Sequence, residues 1–349
     1  MILIDFSGLA YQDMYSSISA VKPRLINDKY CTEDFAPYMI YRILEDIFEI
    51  QTKFCEYGDV VICLDGDGSK NWRKNLYPMY KSSRPKERKQ SNINFNEVFG
   101  VLTNLIYILQ TASPYKVVRI AEAEGDDVIM ALAKEANEEV MIVSADKDMI
   151  QMQQKPNVKQ YSYMTQKFVT YEDKGEDTME DWLLEHVVLG DATDDVPRVV
   201  DGLKFTEAFK QFMKTHNLNL TEEQVRNSDW SQYGFDEYRP GVMQMLNIFE
   251  KPRFGISTAR KTIKSFGSLD AWLDSDHRLR DNYNLNKALV LESGIPDDIR
   301  KNIIDSWCNA QTDVDINKFN EFLEAYGISP LSLPLPSNFN KKFTIEDLF

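Results

Sequence analysis

Four short apolar runs, each followed within a few residues by acidic side chains, constrain this chain more than any other feature. "MILI" (1–4) leads into Asp5 and "VVICL" (60–64) into Asp65. "YKVVRI" (115–120) leads toward Glu124, Asp126 and Asp127, and "VMIVSA" (140–145) into Asp146 and Asp148. Runs of this length, rich in β-branched residues and bounded by polar ones, read as buried strands. Between them the apolar residues fall at helical spacing: Phe35, Met39, Ile43, Ile47 and Ile50; then Phe95, Val98, Leu102, Leu105, Ile106 and Leu109; then Val128, Ile129, Leu132 and Ala136. Strands alternating with helices imply a parallel sheet covered on both faces. All the strand ends then lie on one edge, where open α/β folds keep their sites, and the carboxylates converge. A helix dipole accounts for one acid at an N-terminus, at ~0.3–1 kcal/mol, and Asp146 or Asp148 alone reads equally as a cap. Neither accounts for aspartates at the ends of three strands. Carboxylates gathered in this way repel one another, whereas hard divalent cations such as magnesium take oxygen ligands.

The rest of the composition narrows the chemistry. The three histidines, His186, His216 and His277, are far apart, and the four cysteines form no C-x-x-C pair. A zinc-hydrolase site or histidine-based triad is therefore poorly supported, and the thiols read as reduced, as in the cytoplasm. No run approaches the ~20 apolar residues of a membrane span, and "MILIDFSG" turns acidic too soon for a signal peptide. The net charge of −15 hides a contrast: residues 70–90, "KNWRKNLYPMYKSSRPKERKQ", carry a local +7, leaving about −22 elsewhere. Basic residues interleaved with Trp72, Tyr77 and Tyr80 suit phosphate contact with base stacking, and equally a solvated helical face. Beyond residue 175 the pattern turns helical: a helix near 179–189, a Gly-Asp turn with Asp191, Asp194 and Asp195, and helices at 255–273 and 295–307. The expected organisation is an α/β core over 1–190 with its basic segment at 70–90, and a helical domain over 191–330. A proline-rich linker, "PLSLPLPS", and a tail follow over 331–349.

The ordered set "LIDFS", "CLDG", "WRKNLYPMYKSSR", "EGDD", "SADKD" and "GDATDDVP" resembles the structure-specific 5′ nucleases: flap endonucleases and the 5′ nuclease domains of bacterial DNA polymerases. "PNVKQYSYMTQKFV" (156–169) resembles the phage ribonuclease H and 5′→3′ exonuclease branch. The likeness covers residues 1 to about 200 and implies a PIN-like or resolvase-like parallel-sheet nuclease core with two Mg²⁺ ions, for which Mn²⁺ substitutes. Asp5, Asp65, Glu124 and Asp126 match one metal site, and Asp146, Asp148, Asp191 and Asp194 the other, with Asp127 in an outer-shell role. Asp195 stands where many relatives carry Asn. Arg73, Tyr80, Lys81 and Arg84, with Lys86 beside them, match the gateway that stacks on the terminal base and grips the scissile phosphate.

The family's helix–hairpin–helix, which holds duplex backbone and often K⁺, is split here. "VPRVVDG" stands apart from "FGISTARKTIKSFGSL", which carries Arg260 and Lys261, by an insertion at about 203–252. Arg198 replaces the glycine expected after Pro197, so the resemblance does not extend to the potassium site.

The activity implied is two-metal phosphodiester hydrolysis near 5′ ends of branched, flap or nicked DNA and of RNA–DNA hybrids, by a monomer that removes RNA primers during phage replication in the host cytoplasm. Ile345, Leu348 and Phe349 in the tail resemble peptides that hold a sliding clamp; a tail packed on its own domain is the even alternative, and a single-strand-binding protein is a further partner. Two other readings stand beside this one. A PIN-type single-strand ribonuclease uses a similar acidic cluster, and a non-catalytic junction binder would have a decayed site, against which all eight ligand positions are carboxylates.

Overall fold

The computed structural model describes residues 1–175, 178–201, 213–214, 219, 221, 254–333 and 335–340. The chain divides into two packed units. The first comprises 1–75, 83–175 and 295 onward, and the second 76–82 and 176–294.

In the first unit the strands are β1 (Ile2–Asp5), β2 (Leu25–Ile26), β3 (Lys29–Tyr30), β4 (Val60–Leu64), β5 (Lys116–Arg119), β6 (Val140–Val143), β7 (Val158–Ser162) and β8 (Lys167–Phe168). β2 and β3 form a small hairpin; the others form one sheet in the order β5-β4-β1-β6-β7-β8, parallel except for the antiparallel edge strand β8. From β1 the chain builds outward on one side through β4 and β5, then returns to place β6 on β1's other side. That reversal puts a crevice at the carboxyl ends of β1 and β6, the usual ligand position in such sheets. Successive strand residues face opposite ways. Ile2 and Ile4 enter one core with the helices Phe6–Val21, Thr32–Lys53 and Phe95–Ala112, whereas Leu3 enters a second with the helices Gly125–Glu135 and Asp297–Asn309. The result is the expected three-layer, mostly parallel α/β architecture.

Several expectations need correction. The helix Phe6–Val21 was not legible, because its buried stripe Phe6, Leu9, Ala10, Asp13, Met14 and Ser17 contains two polar residues. The 255–273 stretch divides into Ile256–Phe266 and Leu269–Asp274 at Gly267, whose φ of +84° ends the first helix. The domain boundary at 190 and the assignment of 191–330 to one unit also fail. Ile295, Ile299 and Ile303 seal one face of the first unit's sheet, and Phe319, Phe322 and Leu323 enter the core on the other. Nor is the proline-rich segment a free linker. Leu333 and Phe339 are buried, and the Phe339 ring meets Phe48, Tyr115 and Phe319 edge-on at 5.5, 5.8 and 5.1 Å. The proposed clamp residues Ile345, Leu348 and Phe349, and all but four residues of the insertion 203–252, lie outside the described residues. Among the described residues no helix is long and apolar enough to cross a membrane.

The second unit is helical: Met179–Leu189, Ile256–Phe266, Leu269–Asp274 and His277–Val290. Val199 and Val200 share one core with Phe254, Ala259 and Trp272, and Arg198 Nη1 donates to the Phe254 carbonyl at 3.5 Å. The two segments that the insertion separates in sequence therefore pack together.

Candidate active site

Asp5 ends β1, and its carboxylate accepts from Gly8 N at 2.9 Å, capping the following helix, and from Ser144 Oγ at 2.9 Å. Asp65 follows β4 and accepts from Ser7 Oγ at 2.7 Å and Gly125 N at 2.8 Å. Asp146 follows β6 and caps the short 3-10 turn Lys147–Gln154 by accepting from Asp148 N at 2.8 Å. Its loop is tied down by Gln160 Nε2, which donates to the Ser144 and Asp146 carbonyls at 2.9 and 2.7 Å. Glu124 caps the helix Gly125–Glu135, with Asp126 in its first turn. The capping roles read from sequence are thus present.

The electrostatics place these groups in one neighbourhood. Burial, reinforced by the charges of Asp65 and Asp146, pushes the Asp5 carboxyl up to about 6. Burial raises the Cys63 thiol, and Asp5 and Asp126 push it further. The Tyr163 hydroxyl is raised by burial and then by Asp5, Asp13, Asp146 and Asp126. Among the described residues no three such side chains close on a single point tightly enough to grip an ion as they stand. Ser144 and Gly8 hold the Asp5 carboxylate, and Ser7 and Gly125 that of Asp65. The set nevertheless fits a hard divalent cation in donor type and in sign of charge, and such an ion would offset the repulsion that adds to burial in raising Asp5.

Arg73 and Asp127 form a buried pair. Asp127 is fully buried and accepts from Arg73 Nη2 at 2.7 Å, Arg73 Nη1 at 2.9 Å, Trp72 Nε1 at 3.1 Å and Glu124 N at 2.9 Å. Arg73 is 3% exposed, lies 4.4 Å over the Trp72 ring, and stands 3.5 Å from Glu124 Oε2. The guanidinium expected at the scissile phosphate is instead paired with a buried carboxylate, and together they fix the capping box that aims Glu124 and Asp126.

Asp191, Asp194, Tyr80 and Lys81 belong to the second unit. Asp194 accepts from Tyr80 Oη at 2.9 Å, and its carboxylate lies 3.3 Å from Lys81 Nζ. Asp191 caps its own turn through Thr193 N at 2.7 Å. Asp195 sits at φ +59°, a left-handed position that Asp tolerates. Tyr80, expected to stack on a base, is 3% exposed and packs with Val187, Val196, Leu289 and Val290. Lys86 and Lys261 are exposed, as is Arg260, which stands 3.7 Å from Asp181; Arg84 is half-buried. Sequence reasoning missed Ser7, Ser144, Gln160 and Tyr163. All four were inside the quoted motifs, but the long-range partners that give them meaning are set only by strand register.

The mostly parallel sheet with acidic residues at its carboxyl edge defines a resolvase-like α/β domain. The chain belongs to the family described as 5′-3′ exonuclease, N-terminal resolvase-like domain, whose model matches residues 1–181. It is 34% identical over 122 residues to the ribonuclease H of Enterobacteria phage T4, covering 34% of this chain and 40% of that one. It is 27% identical over 203 residues to the 5′-3′ exonuclease of Buchnera aphidicola subsp. Schizaphis graminum, covering 54% and 65%. The chain thus spans less than two thirds of the length of either relative. Among solved structures, the T5 D15 protein co-crystallized with metal ions aligns over 93% of this chain and 97% of its own, with a TM-score of 0.50 and 13% identity. That is a likeness of fold.

Proposed function

We propose that the protein is a magnesium-dependent 5′→3′ exonuclease and flap endonuclease, cutting phosphodiester bonds near the 5′ ends of branched or nicked DNA and of RNA–DNA hybrids and so able to remove RNA primers. The observation that carries this reading is the placing of Asp5, Asp65 and Asp146 at the switch point of the sheet, where the charges of Asp65 and Asp146 add to burial in raising the Asp5 carboxyl to about 6. Asp5, Asp65, Glu124 and Asp126 would hold one divalent cation, and Asp146 and Asp148 would contribute to a second. Such a pair supplies Lewis acidity to both the attacking and the leaving oxygen at neutral pH. The chain's own part is positional. Ser144 and Gly8 hold Asp5, Ser7 and Gly125 hold Asp65, and Gln160 holds the Asp146 loop. No histidine base is needed.

The test is cleavage of a 5′-labelled flap duplex with and without Mg²⁺, by wild type beside Asp146→Asn. Magnesium-dependent cutting at the junction or 5′ end, falling by a factor on the order of 10³ or more in the variant, is the expected result. Binding of the fork without any cutting by wild type would leave a junction-binding protein instead. A second change probes the geometry. A Cβ added at Gly8 would lie 2.6 Å from both Asp5 Oδ2 and the Tyr163 hydroxyl. Gly8→Ala therefore displaces the Asp5 carboxylate, and the cleavage rate should fall by roughly 10²-fold with little change in melting temperature. A rate within twofold of wild type would show that Asp5 tolerates movement.

A further inference from the structure

Tyr163 stands one residue beyond β7, whose parallel pairing with β6 brings its end to the same edge as Asp146. Its ring packs into the core beside the helix Phe6–Val21, and the residue is 8% exposed. Its hydroxyl comes within 2.6 Å of the point over Gly8 where a Cβ would sit, and Asp5 Oδ2 comes equally close to that point. The two oxygens are therefore separated by at most twice that distance, a span that one further oxygen bridges at ordinary hydrogen-bond lengths.

Ser144 Oγ already donates to Asp5 Oδ2, whereas the Tyr163 hydroxyl makes no hydrogen bond among the described residues. A phenylalanine would fill the same apolar space, so packing does not account for a hydroxyl here. A donor this close to the Asp5 carboxylate, with room for one oxygen between them, is matched to a ligand that carries its own oxygen.

Building on the cation site proposed above, we propose that Tyr163 is a positioning residue of that site, its hydroxyl donating into the hydration shell of a divalent cation held by Asp5. It fixes where the cation settles against the β1 carboxylate, as partners one shell out from a metal commonly do; losing such a partner typically costs 10- to 100-fold in metal affinity.

The experiment is calorimetric titration of the full chain with Mn²⁺ alone, wild type beside Tyr163→Phe, accompanied by melting of both chains without metal. Mn²⁺ affinity should fall by about tenfold in the variant, while the two melting curves coincide. In cleavage assays the Mg²⁺ concentration giving half-maximal rate should rise by a similar factor. Equal Mn²⁺ affinities would overturn the role of Tyr163, and so would a markedly lower melting temperature, which would make the hydroxyl a structural group. Wild type that binds Mn²⁺ but cuts no flap would overturn the proposed nuclease while leaving Tyr163 in place. Wild type that binds no Mn²⁺ would overturn both.

Discussion

Asp127→Ala should destabilise the first unit by about 3–5 kcal/mol, the usual cost of stripping one partner from a buried ion pair. The size follows from the number of donors that the carboxylate satisfies: both Arg73 terminal nitrogens, the Trp72 indole and the Glu124 amide. With Asp127 gone, the Arg73 guanidinium stays buried at 3% exposure without its bidentate acceptor. In a unit of this size the melting temperature should drop on the order of 10 °C. Asp127→Asn, which keeps the shape and one acceptor, should lie between wild type and alanine. Thermal melts of the three proteins decide it. A loss below about 1 kcal/mol for alanine would mean that the pair is replaceable by water and that its role is catalytic after all.

The second large effect has the opposite sign. Asp13 is fully buried, faces Asp46 on the neighbouring helix, and finds no donor for either carboxylate oxygen; the Ser17 hydroxyl, one turn on, is also buried without a partner. Burial, then the charge of Asp46, pushes its carboxyl up to about 8 against the pull of Arg42. The folded protein therefore retains a proton that the unfolded chain releases near pH 4. Stability is greatest below that value and declines as pH rises toward 8, by at most ~1.4 kcal/mol per pH unit. Asp13→Asn removes the ionisation, so the variant should melt above wild type, by little at pH 5 and by most at pH 9. An offset that stays constant with pH would show that Asp13 is not the titrating group.

The core strands were legible because each is a β-branched run bounded by polar residues, and because Ile2, Leu3 and Ile4 have no exposed face to dilute the signal. The acidic edge was legible for the same reason: strand ends are visible once strands are. Legibility failed where the partner is remote. Asp127 looks like any other acid in "EGDD" until Trp72 and Arg73 are brought to it from more than fifty residues away. β7 and the helix Phe6–Val21 carry polar residues at buried positions, Gln160 and Ser162 in one and Asp13 and Ser17 in the other. Periodicity assigns those positions to solvent, whereas side-chain hydrogen bonding or a retained proton allows them inside. The domain boundary was misplaced because the helix at 297–309 has an amphipathic face like any other, and sequence does not say which core it covers.

That late closure bears on how the protein is made. The sheet's central strand leaves the ribosome long before Ile295, Ile299, Ile303 and Phe319, and Phe339 behind them, which its outer layers wait for. At 5–20 residues per second, completing those layers takes on the order of ten seconds after the last strand has emerged. During that interval the nascent sheet exposes aliphatic surface on both sides, so chaperone capture and translation speed, more than final stability, should govern the yield of active protein. A fragment cut at the end of the matched family segment, residue 181, would remain in that exposed condition indefinitely.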